Sequence, residues 1–437
     1  TLSLNPDASE YTFARIPDRE VEAGTLVGPL PVLARDGYHF GGWYTGETGS
    51  GEQYTSQKAM PAHDVTLYAY WYVGDPGAAP DQSMSIPAAT TDGRTVASVL
   101  LKSDAGMRIE MPRSVIQSAA EAGKGVTVDA VFAKIEFDSV AAEAVSTATD
   151  VEGLTVMVST VEFEEQPAAV QAVTGGRPAY NFVLMAGDGQ LSSLGGGSAT
   201  IRIPYEIQPD EDPNAIVVYY IDDAGNPHVV RGAYNVDSGD AYFSVAHFSQ
   251  YAVGYNKIVF TDVPEDAAYY NAVTFAAARE ITTGTGDGMF SPDNTLTRGQ
   301  FITMLMRAYG ISPDENPQDN FDDAGNDYYT GFIAAAKRLG ISDGVGNNLF
   351  MPDADLSTQD MLTLLHRTLG LLGESPRKDT GHRLSDFSDA DEVKDYAREA
   401  VESMIVAGAV QASGELNPAG AALRSAMVQA LYVLLSE

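Results

Sequence analysis

The sequence predicts a multidomain protein with a small β module, a β-rich, sandwich-like middle domain, and a final all-α domain. Three observations lead to this prediction. Residues 1–73 are rich in tyrosine and contain both tryptophans, residues 85–257 contain strand-like runs, and from residue 258 the apolar residues follow helical spacing. The Gly/Pro-rich segment 74–84 has no periodicity and is expected to be a linker. A chain of 437 residues is long enough for about two to four domains.

The composition excludes several classes of function. Lys and Arg number 26 against 60 Asp and Glu, so the net charge is −34, and such a chain repels nucleic acid and anionic lipid. Cysteine is absent, which excludes disulfides, thiolate metal sites and cysteine nucleophiles. No apolar run in the sequence approaches the roughly 18–20 residues of a membrane span. The six histidines are scattered without metal-ligand spacing. We therefore expect no nucleic-acid partner, no membrane insertion, no cofactor and no metal.

Residues 1–73 combine aromatic side chains with strand-like alternation, chiefly in the segments GYHFGGWY at 37–44 and VTLYAYW at 65–71. Aromatic residues that alternate through strands usually build a core, so Trp43 and Trp71 are predicted to be core residues. The two segments resemble the Listeria–Bacteroides repeat of bacterial surface proteins. That resemblance implies a β-grasp fold and a role in stalks or adhesion, without catalytic chemistry.

The middle region, residues 85–257, contains several predicted strands and one predicted short helix near residues 114–122. The apolar run IVVYYI at 216–221 is followed by the turn sequence DDAGN at 222–226 and then by the apolar pair at 229–230. Two strand-like runs on either side of such a turn predict a β-hairpin.

The segment AHFSQYAV at 246–253 closes the middle region and leaves two interpretations open. It resembles the self-cleavage segment of ZU5- and GAIN-type domains, in which His-x-Ser or His-x-Thr precedes an apolar strand. His247 would then accept the Ser249 hydroxyl proton, and Ser249 would attack the Phe248 carbonyl to give an ester that water hydrolyses. This reaction would need a strained Phe248–Ser249 peptide. The alternative is a buried histidine satisfied by the backbone, next to a serine in a strand.

Residues 258–437 contain an internal repeat. The loop FSPD at 290–293 recurs as FMPD at 350–353 and, more weakly, as LNPA at 416–419. Each loop lies between two apolar helices, and Thr297 and Ser357 suit the N-cap of the second helix. A two-helix unit cannot bury its apolar faces alone, so three units are expected to close around a shared core. The predicted helices are 272–278, 301–308, 332–339, 361–369, 397–405 and 428–435. The predicted repeats are 258–312, 318–373 and 383–437.

These repeats resemble S-layer homology (SLH) domains. The first repeat is the most similar, with FTDVP at 260–264, GTGDGMFSP at 284–292 and LTRGQF at 296–301. The resemblance implies a pseudo-threefold helical bundle that binds secondary cell-wall polysaccharide, often pyruvylated, in grooves between repeats. An acidic sugar needs a fixed cation, and a guanidinium offers a planar fork for its carboxylate.

The resemblance also implies the ligand-binding residues. The arginine of the Thr-Arg motif corresponds to Arg298. In the second repeat Thr358 stands where arginine is expected, and in the third Arg424 aligns either in register or one residue off. An aromatic residue before each first helix would stack on a sugar ring, and the corresponding positions are Ala268, Tyr328 and Tyr396. The predicted ligand-binding set is Arg298, Thr297, Tyr328, Tyr396 and Arg424.

The sequence thus predicts an extracellular surface protein of a Gram-positive-type bacterium, attached to the cell wall or S-layer through an acidic secondary wall polysaccharide. Two alternatives remain open at this point. The degenerate second and third motifs would also fit a structural or adhesive protein whose SLH module mediates packing or oligomerisation. The segment 246–253 would fit a self-cleaving surface protein. An enzyme that acts on another molecule is not predicted.

Overall fold

The structure is a computed structural model of the chain. It describes residues 2–5, 20–25, 27, 30, 39–46, 52–54, 58–72, 89–91, 94–97, 101–103, 106–129, 133–147, 153–186, 189–191, 193–374, 376, 378–410 and 414–436. The chain forms two compact units, one comprising Thr1–Pro87 and Val99–Arg108, the other Ala88–Ser98 and Ile109–Glu437. The predicted linker 74–84 lies outside the described residues, and the predicted domain boundaries remain predictions.

The first unit contains a four-stranded sheet. Its strands are β1 (Leu2–Asn5), β2 (His39–Tyr44), β3 (Gln53–Tyr54) and β4 (Val65–Tyr72), in the order β1-β4-β2-β3. β1 is parallel to β4, and the other neighbours are antiparallel. Alternate residues of β1 and β4 point into one core, where Leu2, Leu4 and Leu67 pack with Trp43. Trp43 is 2% exposed, which confirms it as a core residue, whereas the Trp71 side chain lies outside the described residues.

The middle region is β-rich. Its strands are β5 (Ala89–Thr91), β6 (Arg94–Ala97), β7 (Leu101–Ser103), β8 (Gly106–Pro112), β9 (Val126–Asp129), β10 (Lys134–Phe137), β11 (Gly153–Val161), β12 (Ala179–Ala186), β13 (Gly189–Gln190), β14 (Ala199–Pro204), β15 (Ile216–Ile221), β16 (Pro227–Val230), β17 (Gly232–Asn235), β18 (Asp240–Val245) and β19 (Gln250–Tyr255). One sheet has the order β17-β18-β14-β10-β9-β6-β5, and a second includes β16-β15-β19-β12-β11-β8. β7 pairs with the first residues of β8, and β13 pairs with β12.

The predicted hairpin is present, because β15 and β16 pair antiparallel around the turn at 222–226. Asp222 Oδ1 accepts hydrogen bonds from the backbone N–H groups of Ala224 and Asn226, at 3.0 and 2.8 Å. Only Arg231 separates β16 from β17, so the chain passes from one sheet to the other at this residue.

The prediction of one short helix in the middle region was incomplete. The described residues of this region form three, namely α1 (Arg113–Glu121), α2 (Ser139–Thr147) and α3 (Ala168–Thr174). α2 follows Asp138, whose Oδ1 accepts a hydrogen bond from Ala141 N at 2.7 Å, as an N-cap does. The aspartate before an alanine-rich run was the sequence signal for this helix.

All six predicted C-terminal helices are present, as α4 (Tyr270–Ala278), α5 (Arg298–Ala308), α6 (Thr330–Arg338), α7 (Thr358–Leu371), α8 (Arg398–Val406) and α9 (Arg424–Leu435). α5 packs on α6, α7 on α8, and α9 on α4, so the second helix of each repeat contacts the first helix of the next. Phe290, Phe301 and Phe350 are fully buried in the shared core. In the part of the chain that the structure describes, no helix is both long and apolar enough to cross a bilayer.

A closed triangle of backbone hydrogen bonds joins the three repeats. Leu296 N donates to Ala422 O at 2.8 Å, Ala422 N to Leu356 O at 2.8 Å, and Leu356 N to Leu296 O at 3.0 Å. The three residues lie just before α5, α7 and α9. This cyclic pattern makes positions 296, 356 and 422 equivalent in the three repeats, and it gives the repeats a common register.

The middle region contacts the helical repeats directly within the second unit. Arg231 donates two hydrogen bonds to Glu374, at 2.5 and 2.8 Å. Tyr242 Oη donates to the backbone carbonyl that follows α9, and Asn256 Nδ2 donates to the last carbonyl of α4, at 3.0 and 2.8 Å. β-rich and helical parts therefore share an interface.

Candidate ligand-binding grooves

Each repeat fixes its Phe/Leu-x-Pro loop with one aspartate. The carboxylate accepts hydrogen bonds from two successive backbone N–H groups, at 2.7 to 2.9 Å. The sets are Asp262 with Phe290 and Ser291, Asp323 with Phe350 and Met351, and Asp389 with Leu416 and Asn417. The second loop residue has positive φ in all three repeats, which brings both N–H groups to one carboxylate. Within the described residues, no cluster of histidine or carboxylate side chains could hold a metal ion.

These bonds also set the acidity of the aspartates. Burial disfavours the charged form of Asp389, but the N–H groups of Leu416 and Asn417 stabilise the carboxylate more strongly. The pKa of Asp389 therefore lies below its usual value. In the folded protein the loop is therefore held by the ionised form of this aspartate.

Two arginines bind the carbonyl of the first loop residue in a neighbouring repeat. Arg298 Nε donates to Phe350 O at 2.7 Å, and its guanidinium carbon lies 4.8 Å from the centre of the Phe350 ring. Arg424 repeats this geometry at Phe290, with distances of 2.9 and 5.0 Å. Arg424 is therefore in register with Arg298, and Thr358 occupies the equivalent position in the second repeat.

Neither arginine forms an ion pair with a carboxylate in the described part of the chain. Burial lowers the pKa of Arg298, while Asp360 and Asp323 oppose that effect from farther away. Burial also lowers the pKa of Arg424. Since arginine stays protonated in proteins, both positions keep a cation whose charge no carboxylate contacts.

The first groove contains side chains from all three repeats: Arg298 on α5, Asp360 on α7 and Tyr396 before α8. Tyr396 Oη donates to Asp360 Oδ1 at 2.7 Å, and the tyrosine is 61% exposed. Thr297 Oγ1 accepts a hydrogen bond from Gln300 N at 3.3 Å and so caps α5. The structure therefore places Arg298 and Tyr396 around one carboxylate, and gives Thr297 a helix-capping contact.

The second groove is formed in the same way by Arg424 on α9, Gln300 on α5 and Tyr328 before α6. Arg424 Nη1 lies 3.5 Å from Gln300 Oε1. Tyr328 is 56% exposed, and its ring contacts that of Tyr329 with centres 5.0 Å apart. Burial and Asp327 raise the pKa of Tyr328, whereas Arg424 lowers it. Gln300 therefore places an amide in the second groove at the position where Asp360 places a carboxylate in the first.

The third groove consists of Thr358 on α7, Ala426 on α9 and Ala268 before α4. Gln429 Nε2 contacts the Ala268 carbonyl at 3.5 Å, which places α9 beside this position. The arginine and the aromatic residue are both missing from this groove. The sequence showed both replacements, but not that they lie in the same groove.

Sequence reasoning also missed Asp360 and Gln300 as groove residues. Both occupy the position two residues after the Arg298-equivalent, on the first turn of a second helix. That shared spacing was the available signal.

The structure does not bring His247 and Ser249 together as the cleavage interpretation requires. His247 is exposed, and its ring contacts Tyr220 with centres 5.8 Å apart. Among the described residues, no hydrogen bond joins His247 and Ser249, and neither Phe248 nor Ser249 has positive φ. The alternative of a buried histidine is wrong, because the side chain is open to solvent.

Two regions of the chain match known families. The S-layer homology domain matches residues 259–302 and 320–361, and the Listeria-Bacteroides repeat domain matches residues 5–70. The chain therefore carries S-layer homology repeats. The predicted third repeat lies beyond the matched residues and remains a prediction; it shares the hydrogen-bond triangle and the arginine contact of Arg424 with the matched repeats. Neither matched region includes residues 246–253, so the ZU5- and GAIN-type resemblance is unconfirmed.

Several curated proteins are similar to this chain. A cell surface protein of Thermoanaerobacter kivui is 36% identical over 28% of this chain and 17% of its own length. An S-layer protein of Bacillus thuringiensis subsp. finitimus is 32% identical over 24% of this chain and 13% of its own. An amylopullulanase of Thermoanaerobacterium thermosulfurigenes is 30% identical over 55% of this chain and 13% of its own. The chain spans less than a fifth of each relative. These matches support the predicted extracellular location at the cell wall or S-layer.

Proposed function

We propose that residues 258–437 attach the protein non-covalently to the cell wall by binding an acidic secondary wall polysaccharide. One observation carries the proposal. Arg298 and Arg424 are fixed by backbone carbonyls and phenyl rings instead of carboxylates, and each lies in a groove with an exposed tyrosine. Arg298 is half-buried and can donate to an anionic ligand directly, whereas Arg424 is only 4% exposed and would act on such a ligand mainly through its charge.

The chemistry of each groove suits an acidic sugar. One edge of the Arg298 guanidinium is occupied by the Phe350 carbonyl, which leaves the terminal nitrogens to donate to a ligand carboxylate. The exposed ring of Tyr396 offers a flat surface for a sugar ring. Because the chain has a net charge of −34, local cations must hold an anionic polymer, and the binding should weaken as salt is added.

Two of the three grooves are proposed to bind the polysaccharide. The third groove lacks both the arginine and the tyrosine, and this loss favours a second candidate function. In that alternative the SLH module mediates packing or self-association in a structural or adhesive protein. Some relatives are named as enzymes, but the matched segments are a small share of their length. A catalytic activity elsewhere in the protein is therefore a separate proposal, which nothing in these grooves supports.

Co-sedimentation with wall sacculi, with and without their secondary polysaccharide, tests the proposed function. We expect binding that requires the polysaccharide, a loss of about tenfold in affinity for Arg298→Ala and for Arg424→Ala, and no binding by the double variant. Thr358→Ala, at the equivalent position of the third groove, is the matched control and should bind like wild type.

Equal binding of the wild type to sacculi stripped of polysaccharide would refute the proposed function. Salt-resistant self-association in sedimentation velocity, together with the absence of wall binding, would support the packing alternative.

A further inference from the structure

Arg307 differs from several other arginines of the SLH repeats in having no carboxylate partner among the described residues. Several others pair with a carboxylate, namely Arg338 with Asp314, Arg367 with Asp343, Arg383 with Asp379 and Arg398 with Asp391. Arg307 is exposed, and its guanidinium forms neither a hydrogen bond nor an ion pair with any described residue. Its guanidinium lies over the Phe332 ring, with the carbon 5.8 Å from the ring centre. The side chain is therefore oriented while its charge is left uncompensated.

Comparison with the second repeat explains why Arg307 has no partner. The equivalent arginine on α7 is Arg367, whose Nη1 donates to Asp343 at 3.2 Å and to the Ile341 carbonyl at 3.3 Å. The residue equivalent to Asp343 in the first repeat is Thr283, since the two repeats share one register. The first repeat thus keeps the arginine but lacks its counter-ion.

Arg307 lies on the same face of α5 as Gln300 of the second groove, and it also lines a cavity with Arg231 and Ile281. It is seven residues after Gln300, two helical turns along the same face and roughly 10 Å farther along the axis. Burial and Asp327 raise the pKa of Tyr328, while both Arg424 and Arg307 lower it. The exposed tyrosine therefore lies within the electrostatic influence of two arginines from different repeats.

We propose that Arg307 is a specificity residue of the second groove and binds a second anionic group of the wall polysaccharide, farther along α5 than the group bound by Arg424. This inference rests on the proposed function. It assigns the second groove to a segment of acidic glycan that carries at least two negative groups. The first groove lacks this feature, because its helix α7 carries Asp360 and an Arg367 that is already paired.

The test measures binding of polysaccharide purified from wall sacculi, by isothermal titration calorimetry at several salt concentrations. We expect Arg307→Gln to bind about five- to tenfold more weakly and to show a smaller salt dependence. Arg307→Lys, which keeps the charge, should retain most of the affinity. Arg367→Gln removes the same charge from a paired arginine and is the matched control, expected to bind like wild type.

A second variant tests the charge without removing the arginine. Thr283→Asp supplies the counter-ion that Asp343 provides in the second repeat, and it should weaken binding about as much as Arg307→Gln. All these positions are on the surface, and thermal unfolding should confirm that every variant is folded.

The outcomes separate this inference from the proposed function. A wild type that does not bind the polysaccharide would refute both. Binding that falls in Arg298→Ala and Arg424→Ala but is unchanged in Arg307→Gln would refute the inference alone. So would weaker binding by Arg307→Gln combined with unchanged binding by Thr283→Asp, because the arginine would then act through its packing on Phe332.

Discussion

The substitution Arg279→Met tests whether a buried guanidinium joins the middle region to the SLH repeats. Arg279 follows α4 and is only 7% exposed. It donates hydrogen bonds to the backbone carbonyls of Gly232, Asn214 and Ile216, each at 2.8 Å, and all three belong to the middle region. Its guanidinium carbon also lies 3.6 Å from the centre of the Phe275 ring. Methionine would keep much of the apolar contact and none of the hydrogen bonds.

The expected loss of unfolding free energy in Arg279→Met arises from the three backbone carbonyls that the variant leaves without a hydrogen-bond donor. A buried polar group without its partner costs about 1–3 kcal/mol. Burial lowers the pKa of Arg279 to about 9, which shows that the folded protein disfavours the charged guanidinium, and this penalty disappears in the variant. We therefore take the lower end of the range for each carbonyl and expect the free energy of unfolding to fall by about 3 kcal/mol.

Urea unfolding, followed by circular dichroism and by tyrosine fluorescence, measures this loss. The wild type is expected to unfold the middle region and the SLH repeats in one transition, and the variant in two. Arg338→Met is the control, because its ion pair with Asp314 is exposed and such pairs contribute little. A loss below about 1 kcal/mol for Arg279→Met, or a loss no larger than that of the control, would refute the assignment of these bonds to stability.

Three further predictions concern pH, glycine positions and self-cleavage. The folded-state pKa of Asp389 is lowered, so its stabilising effect should be complete above about pH 4 and be lost as the pH falls further, and Asp389→Asn should reduce this acid sensitivity in urea titrations. Gly284→Ala should cost about 2 kcal/mol in the same assay, since φ is +79° and the new Cβ would lie 2.4 Å from a carbonyl oxygen. Gly370→Ala, inside α7 where the Cβ meets nothing within 4 Å, should stabilise by up to about 1 kcal/mol. Fresh protein should give one intact band on a denaturing gel, identical to that of Ser249→Ala, and a fragment that ends at residue 248 would contradict the geometry at His247.

The helical repeats could be predicted from sequence because their signals are local. Apolar residues at helical spacing, caps such as Thr297 and a recurring loop lie within a few residues of one another. The same signals were weaker for α2 and α3 in the middle region, where seven to nine residues give little periodicity. The N-cap Asp138 was the strong local evidence for α2, whereas α3 has no side-chain N-cap and ends at the left-handed Gly175.

The groove membership could not be predicted in this way. Each groove takes residues from three repeats, so that Arg298 and Tyr396 are almost 100 residues apart in the chain. The roles of Asp323 and Arg279 were hidden for the same reason. An aspartate in an acidic stretch and an arginine at a helix end usually contact solvent, and only the tertiary structure shows that one binds a loop and the other is buried.

The helix pair α4 and α9 contributes both to the third groove and to the interface with the middle region. The N-terminal ends of these helices and of α7 form the third groove, where Ala268 and Thr358 replace the aromatic residue and the arginine. Arg279 and Ser436, at the opposite ends of the same two helices, contact the middle region. The pairs α5–α6 and α7–α8 keep Tyr328 and Tyr396 exposed next to the two arginines. The pseudo-threefold bundle thus uses its two ends for two tasks: residues that follow α4, α7 and α9 contact the middle region, and the N-terminal ends of the helices form the grooves through which we propose that the protein binds the wall.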